Sequence, residues 1–146
     1  WRNLAALYVT DPEIPGAGAA GGLGYALIFL GAKLCRGSEM VLRVANLEDH
    51  LQNADIVVTG EGKADRQTLR GKLPFGVLQK GRQRGVRVAL LAGFVEDEKI
   101  LADAGFKEIV NINPKRITLA EAMNPAVAKV NLRNAVKRLV SKLFAN

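Results

Sequence analysis

The chain has 146 residues, 49% hydrophobic and 24% charged, with a net charge of +7. That is enough for one compact domain and too little for two full ones, and the composition excludes disorder over most of the chain. A single cysteine, Cys35, and a single histidine, His50, exclude a disulfide framework, a cysteine or histidine metal cluster and paired Cys–His catalysis.

The start, Trp1-Arg2-Asn3-Leu4, carries no signal-peptide pattern, and no apolar run approaches the roughly 20 residues of a membrane span. A soluble cytoplasmic protein with no membrane partner is expected. After Pro12 and Pro15, five glycines fall within residues 16–24, and the apolar run Tyr25-Ala26-Leu27-Ile28-Phe29-Leu30 follows. This reads as a glycine loop entering a buried helix that ends near Gly37, with Cys35 a buried thiol. Leu42, Val44 and Leu47 then carry a strand or short helix toward Asn53, with His50 on the surface beside Glu48 and Asp49.

From residue 54 the pattern becomes regular. Short β-branched runs at 55–59, 86–92 and 108–112 alternate with helical stretches, the mark of βαβ units. One helix begins at Pro74 and runs to about residue 83, stopped by Gly85. A second covers 96–104 and is stopped by Gly105. Pro114 and Pro125 bracket a short helix at 119–123, and an amphipathic helix at 126–144 closes the chain. The expected fold is α/β and three-layered, with a mainly parallel sheet of flavodoxin-like or Rossmann-like type. Three strands make a small sheet with edges to manage, so the domain reads as incomplete, and a homodimer is one way to cover an edge.

The positive charge is unevenly placed. Residues 60–87 carry eight basic side chains against Glu61 and Asp65, and residues 124–146 carry five against none. In the last helix Lys129, Arg133 and Lys137 recur at every fourth position, as a solvated face does. The central cluster interleaves with glycines and acids, which suits an anion site better. A basic nucleic-acid-binding module is the alternative, but few aromatics lie near these cations for stacking, so no nucleic-acid partner is expected.

Two stretches could carry chemistry. Gly16, Gly18 and Gly21 match the dinucleotide spacing G-x-G-x-x-G, but two prolines and two acids in Asp11-Pro12-Glu13-Ile14-Pro15 stand where a Rossmann loop needs a buried strand. A catalytically silent nucleotide- or dinucleotide-binding α/β domain is therefore the weaker reading. Small residues allowing close helix packing, combined with a helix start whose bare N–H groups attract an anion, is the favoured one.

The stretch from Val57 to Lys72 is richer, since it begins where a parallel strand ends at its carboxyl edge. There Gly60 and Gly62, with Thr59, would shape a backbone cradle. Glu61 and Asp65 can accept a proton or hold Mg²⁺, and Lys63, Arg66, Arg70 and Lys72 can neutralise phosphate. Those are the parts phosphoryl transfer needs. No Walker-type string is present, and a polar turn with solvated cations remains equally open on the residues alone.

Four strings resemble the bacterial glycerate kinases that phosphorylate D-glycerate with ATP: PGAGAAGGLG at 15–24, ADIVVTGEGKAD at 54–65, QTLRGKLPFGV at 67–77 and ITLAEAM at 117–123. The resemblance covers most of the chain but only the C-terminal portion of such proteins. It implies that residues 1–45 are the tail of an inserted second α/β domain, and that residues 46–146 are the C-terminal share of a flavodoxin-like one.

The cofactors implied are ATP and Mg²⁺, and the partners are D-glycerate and the remainder of the same polypeptide; this piece alone would be inactive. Asp65, Glu61 and Lys72 are then the catalytic candidates, with Asp65 orienting or deprotonating the substrate hydroxyl and Glu61 a second acid or indirect Mg²⁺ ligand. Thr59, Gly60, Gly62, Lys63, Arg66, Gly16, Gly18 and Gly21 would bind substrate or phosphate. The family usually has arginine where Lys63 stands, a bulkier apolar residue at Ala64 and often serine at Phe94. Lysine keeps the charge and loses the bidentate fork.

Overall fold

The computed structural model describes residues 13–144. Residues 1–12, which the sequence reading counts in its first domain, lie outside the described residues. The chain divides into two units at Arg36–Gly37, ahead of the boundary read at residue 45. The nine-residue difference is the segment whose Ser38 Oγ donates to the Gly71 carbonyl at 3.0 Å and whose Leu42 joins the core of the second unit.

In the first unit, helix α1 spans Ala19–Phe29, but Ala20, Gly21 and Gly22 have left-handed backbone angles, so its regular part starts only beyond them. Ala17 and Tyr25 are buried, and Ile28 packs against them. Leu23, Leu27, Phe29 and Leu30 are exposed, which corrects the expectation of a buried helix. Cys35 is exposed as well, not a buried thiol.

The second unit runs α2 (Gly37–Val44), α3 (Leu47–His50), β1 (Ile56–Ala64), α4 (Leu73–Gln83), β2 (Arg87–Val95), α5 (Glu98–Ala104), β3 (Glu108–Asn111), α6 (Leu119–Ala122) and α7 (Pro125–Phe144). A three-residue 3-10 turn, Thr68–Arg70, lies between β1 and α4. Among the described residues the sheet has the order β1-β2-β3, with both pairings parallel, so each connection is a helical crossover.

Every residue of β2 from Val88 to Ala92 is buried, as a central parallel strand requires. Val88, Leu90 and Ala92 face Leu78 of α4 and Leu101 of α5, together with Leu42 and Phe106. Ala89 and Leu91 face Ala135 and Leu139 of α7, with Val110 of β3. Two apolar layers on opposite faces of one sheet make the three-layer α/β architecture expected from the sequence.

Both long strands run further than their β-branched residues suggest. β1 continues through Gly60-Glu61-Gly62-Lys63-Ala64, and β2 through Gly93-Phe94-Val95. Glycine permits this by close approach: a Cβ at Gly60 would lie 2.7 Å from the Leu91 carbonyl oxygen, and one at Gly93 would lie 2.5 Å from that of Gly62. A Cβ at Gly62 would meet nothing within 4 Å.

A candidate active site at the carboxyl end of β1

The extension of β1 changes how its residues serve a site. Gly60 and Gly62 are strand residues with no positive φ, not the left-handed turn positions expected, and Thr59 is buried within the same strand. The strand instead delivers Glu61 on a rigid element, and the chain turns only after Ala64.

That turn is built by local hydrogen bonds. The Asp65 carboxylate Oδ1 accepts the Gln67 N–H at 2.8 Å, and the Asp65 carbonyl accepts the Thr68 N–H at 2.9 Å. Thr68 Oγ1 in turn accepts the Asp65 N–H at 3.1 Å. Short polar side chains that bond nearby backbone favour such turns over helix or strand. Gly71 closes the turn at φ +97, which glycine adopts without a Cβ penalty. Lys72 follows in an extended conformation as the residue preceding α4, with Pro74 in that helix's first turn.

Three of the candidate residues come together here. Lys72 Nζ lies 3.2 Å from Glu61 Oε2 and 3.9 Å from Asp65 Oδ1. The Glu61 and Asp65 side chains are only 14% and 15% exposed, whereas Lys72 is 41% exposed and keeps access to solvent. Both Glu61 oxygens are engaged, Oε1 by the Thr68 hydroxyl at 2.6 Å and Oε2 by Lys72. Asp65 Oδ2 accepts no hydrogen bond from any described residue.

Two predicted cations do not join them. Lys63 pairs with Glu96 at 3.0 Å, and that contact holds its ammonium above the ordinary lysine value. Arg66 turns its fork onto Asp97, with Nε at 3.2 Å and Nη2 at 3.4 Å, while its own N–H reaches the same carboxylate. The guanidinium holds Asp97 below the usual aspartate value, and Asp97 holds Arg66 above the usual arginine one. These pairs tie the turn to the end of β2. Arg70 is exposed.

In the glycine-rich segment of the first unit, the N–H groups of Ala17, Ala19 and Tyr25 are taken by the carbonyls of Ile14, Gly16 and Ala17. Gly16 and Gly21 have positive φ and shape the fold-back, whereas Gly18 is in the right-handed region. A Cβ at Gly24 would fall on the Gly16 carbonyl oxygen, so close packing accounts for that glycine.

Sequence reasoning passed over Thr68, whose side chain is fully buried and bonds both the Glu61 carboxylate and the Asp65 N–H. The spacing Asp65-x-x-Thr68 is the signal that could have found it, since it fits reciprocal side-chain and backbone bonding across a tight turn.

Fold and site together define part of a Rossmann-like α/β domain with an acid and ammonium cluster at the carboxyl edge of its sheet. The family model described as the glycerate kinase family matches residues 2–144, and the chain belongs to that family. It is 45% identical to a glycerate kinase of Halalkalibacterium halodurans over 76% of this chain and 30% of that protein. A glycerate 2-kinase of Escherichia coli is 39% identical over 83% of this chain and 32% of its own length. The crystal structure of a Salmonella typhimurium LT2 protein assigned as a glycerate kinase 2 superposes with a TM-score of 0.66 at 34% identity, covering 97% of this chain and 38% of that one. The chain thus spans about a third of the length of the curated relatives it matches.

Proposed function

We propose that the chain is the C-terminal portion of a glycerate kinase, which transfers the γ-phosphoryl group of ATP to a hydroxyl of D-glycerate and gives a phosphoglycerate. The observation that carries the reading is a half-exposed ammonium, Lys72, held between two sheltered carboxylates, one of which keeps an open oxygen. Asp65 Oδ2 receives the substrate hydroxyl and takes its proton. The hydroxyl oxygen bonds to the γ-phosphorus while the bond to the bridging oxygen breaks, and ADP leaves with that electron pair. Lys72 meets the charge on the transferring oxygens, where positioning and electrostatics supply most of the acceleration. Glu61 holds Lys72 and is not a second acid in this scheme.

The donor set also bears on Mg²⁺. Each Glu61 oxygen already has one hydrogen-bond partner, and among the described residues no group of three His, Cys, Asp or Glu side chains gathers. The fit is to a metal carried mainly by the nucleotide, as in other phosphoryl-transfer sites with one or two protein carboxylates. Bound there, Mg²⁺ would neutralise phosphate charge. The reading carries with it a cytoplasmic location, where ATP is at hand.

The test joins this chain to the remaining two thirds of the Halalkalibacterium halodurans relative and follows glycerate-dependent ADP release. Turnover by the joined protein, and none by the chain alone, is expected. A folded joined protein without glycerate-dependent turnover overturns the reading.

A further inference from the structure

We propose that Thr68 is a positioning residue for the site, acting through Glu61 on Lys72; the inference rests on the reading of the cluster as a phosphoryl-transfer site. A threonine hydroxyl has one proton to give and two lone pairs. Here one lone pair accepts the Asp65 N–H at 3.1 Å, and the proton goes to Glu61 Oε1 at 2.6 Å. A carboxylate cannot give a proton back, so the order Asp65 N–H, Thr68 O–H, Glu61 runs one way only.

The side chain is fully buried, which keeps water from competing for either bond. A bond from a hydroxyl to a charged acceptor at this length belongs to the strong class. It fixes the rotation of the Glu61 carboxylate and so turns Oε2 toward Lys72. Because the same hydroxyl also holds the Asp65 backbone, one buried atom sets the acid and the ammonium relative to each other. Thr68 touches no reacting atom in this scheme.

Two substitutions separate the hydroxyl from the packing. Thr68→Val keeps the shape and loses the proton and lone pairs, whereas Thr68→Ser keeps the hydroxyl and loses a methyl group. In the joined enzyme, Thr68→Val is expected to lower kcat by about 10² with KM for ATP and glycerate held within about threefold, as small misplacements of catalytic groups do. Thr68→Ser is expected to retain kcat within about threefold, despite the larger cavity cost that a buried methyl deletion carries.

The chain by itself gives a second readout: a Thr68 hydroxyl proton that exchanges slowly enough to be seen by NMR, with a cross-peak to the Glu61 side chain. Serine losing as much activity as valine, valine changing KM alone, or a hydroxyl proton in fast exchange with water would each overturn the proposal. If the joined wild-type enzyme leaves glycerate unphosphorylated, the functional reading fails, and the hydroxyl-proton signal still decides the placement of Thr68.

Discussion

Residues 16–24 and 60–72 are both rich in glycine, and both read from the sequence as places for an anion, yet they use their backbone in opposite ways. In the first segment the N–H groups of Ala17, Ala19 and Tyr25 turn inward onto neighbouring carbonyls, and Gly16, Gly21 and Gly24 serve a tight fold-back. In the second, the glycines at 60 and 62 extend a strand that carries Glu61 to a turn, where the side chains of Glu61, Asp65 and Lys72 converge. Glycine content therefore says that backbone comes close to something. Which polar atoms are left over decides whether that something is a ligand.

The comparison breaks first at Asp65. Asp65→Asn in the joined enzyme is expected to lower kcat by about 10² or more, because a general base typically contributes that much. A loss under about tenfold would take Asp65 out of the role.

Gly24→Ala tests the packing explanation of the other segment. A methyl group there falls on a backbone carbonyl, so a loss of about 1–3 kcal/mol is expected. Gly18→Ala, with nothing within 4 Å of its Cβ and a right-handed backbone, should change stability by less than about 0.5 kcal/mol. Thermal melts of the two variants decide it, and equal losses would return Gly18 to candidacy as a close-approach position.

Lys72→Gln should reduce kcat about tenfold or more, since an ammonium on a developing phosphate charge contributes through electrostatics. Arg66→Gln should cost less, because Arg66 is committed to Asp97.

The smallest effect is electrostatic. Asp97 is depressed below its ordinary value of 3.8 chiefly by the hydrogen bond from Arg66. A depressed acid contributes stability above its unfolded value and loses it as pH falls through the folded one, so the pair's contribution is in place at neutral pH and is lost only in the acid range. Arg66→Gln should move the Asp97 titration midpoint, followed by NMR, upward toward the ordinary value. An unmoved midpoint would remove the pair.

Much of the second unit was legible before any coordinates. Val88–Ala92 reads as a buried run because that strand is covered on both faces, and Gly85, Gly105 and Pro74 punctuate helices for reasons of backbone geometry alone. The continuation of β1 through residues 60–64 was not legible. Glycine and charge lower strand propensity, and what keeps the strand going is its parallel pairing with β2 as far as Ala64, a tertiary effect. The site was half legible for the same reason. Charge and spacing pick out Glu61, Asp65 and Lys72, but only the positions of Glu96 and Asp97 reveal that Lys63 and Arg66 are already engaged. The exposure of Leu23, Leu27, Phe29 and Leu30 was hidden too, because apolar residues on a helix say that burial is favourable and not what supplies it.

The facing glycines at 62 and 93 constrain mutational drift unequally. At 93 a Cβ would meet the protein's own carbonyl, so the fold itself disfavours a larger residue there. At 62 the fold imposes no such veto, and a side chain would stand in open space. A library at residue 62 that preserves melting temperature while abolishing turnover would mark the place where a visiting molecule, and not the polypeptide, enforces glycine.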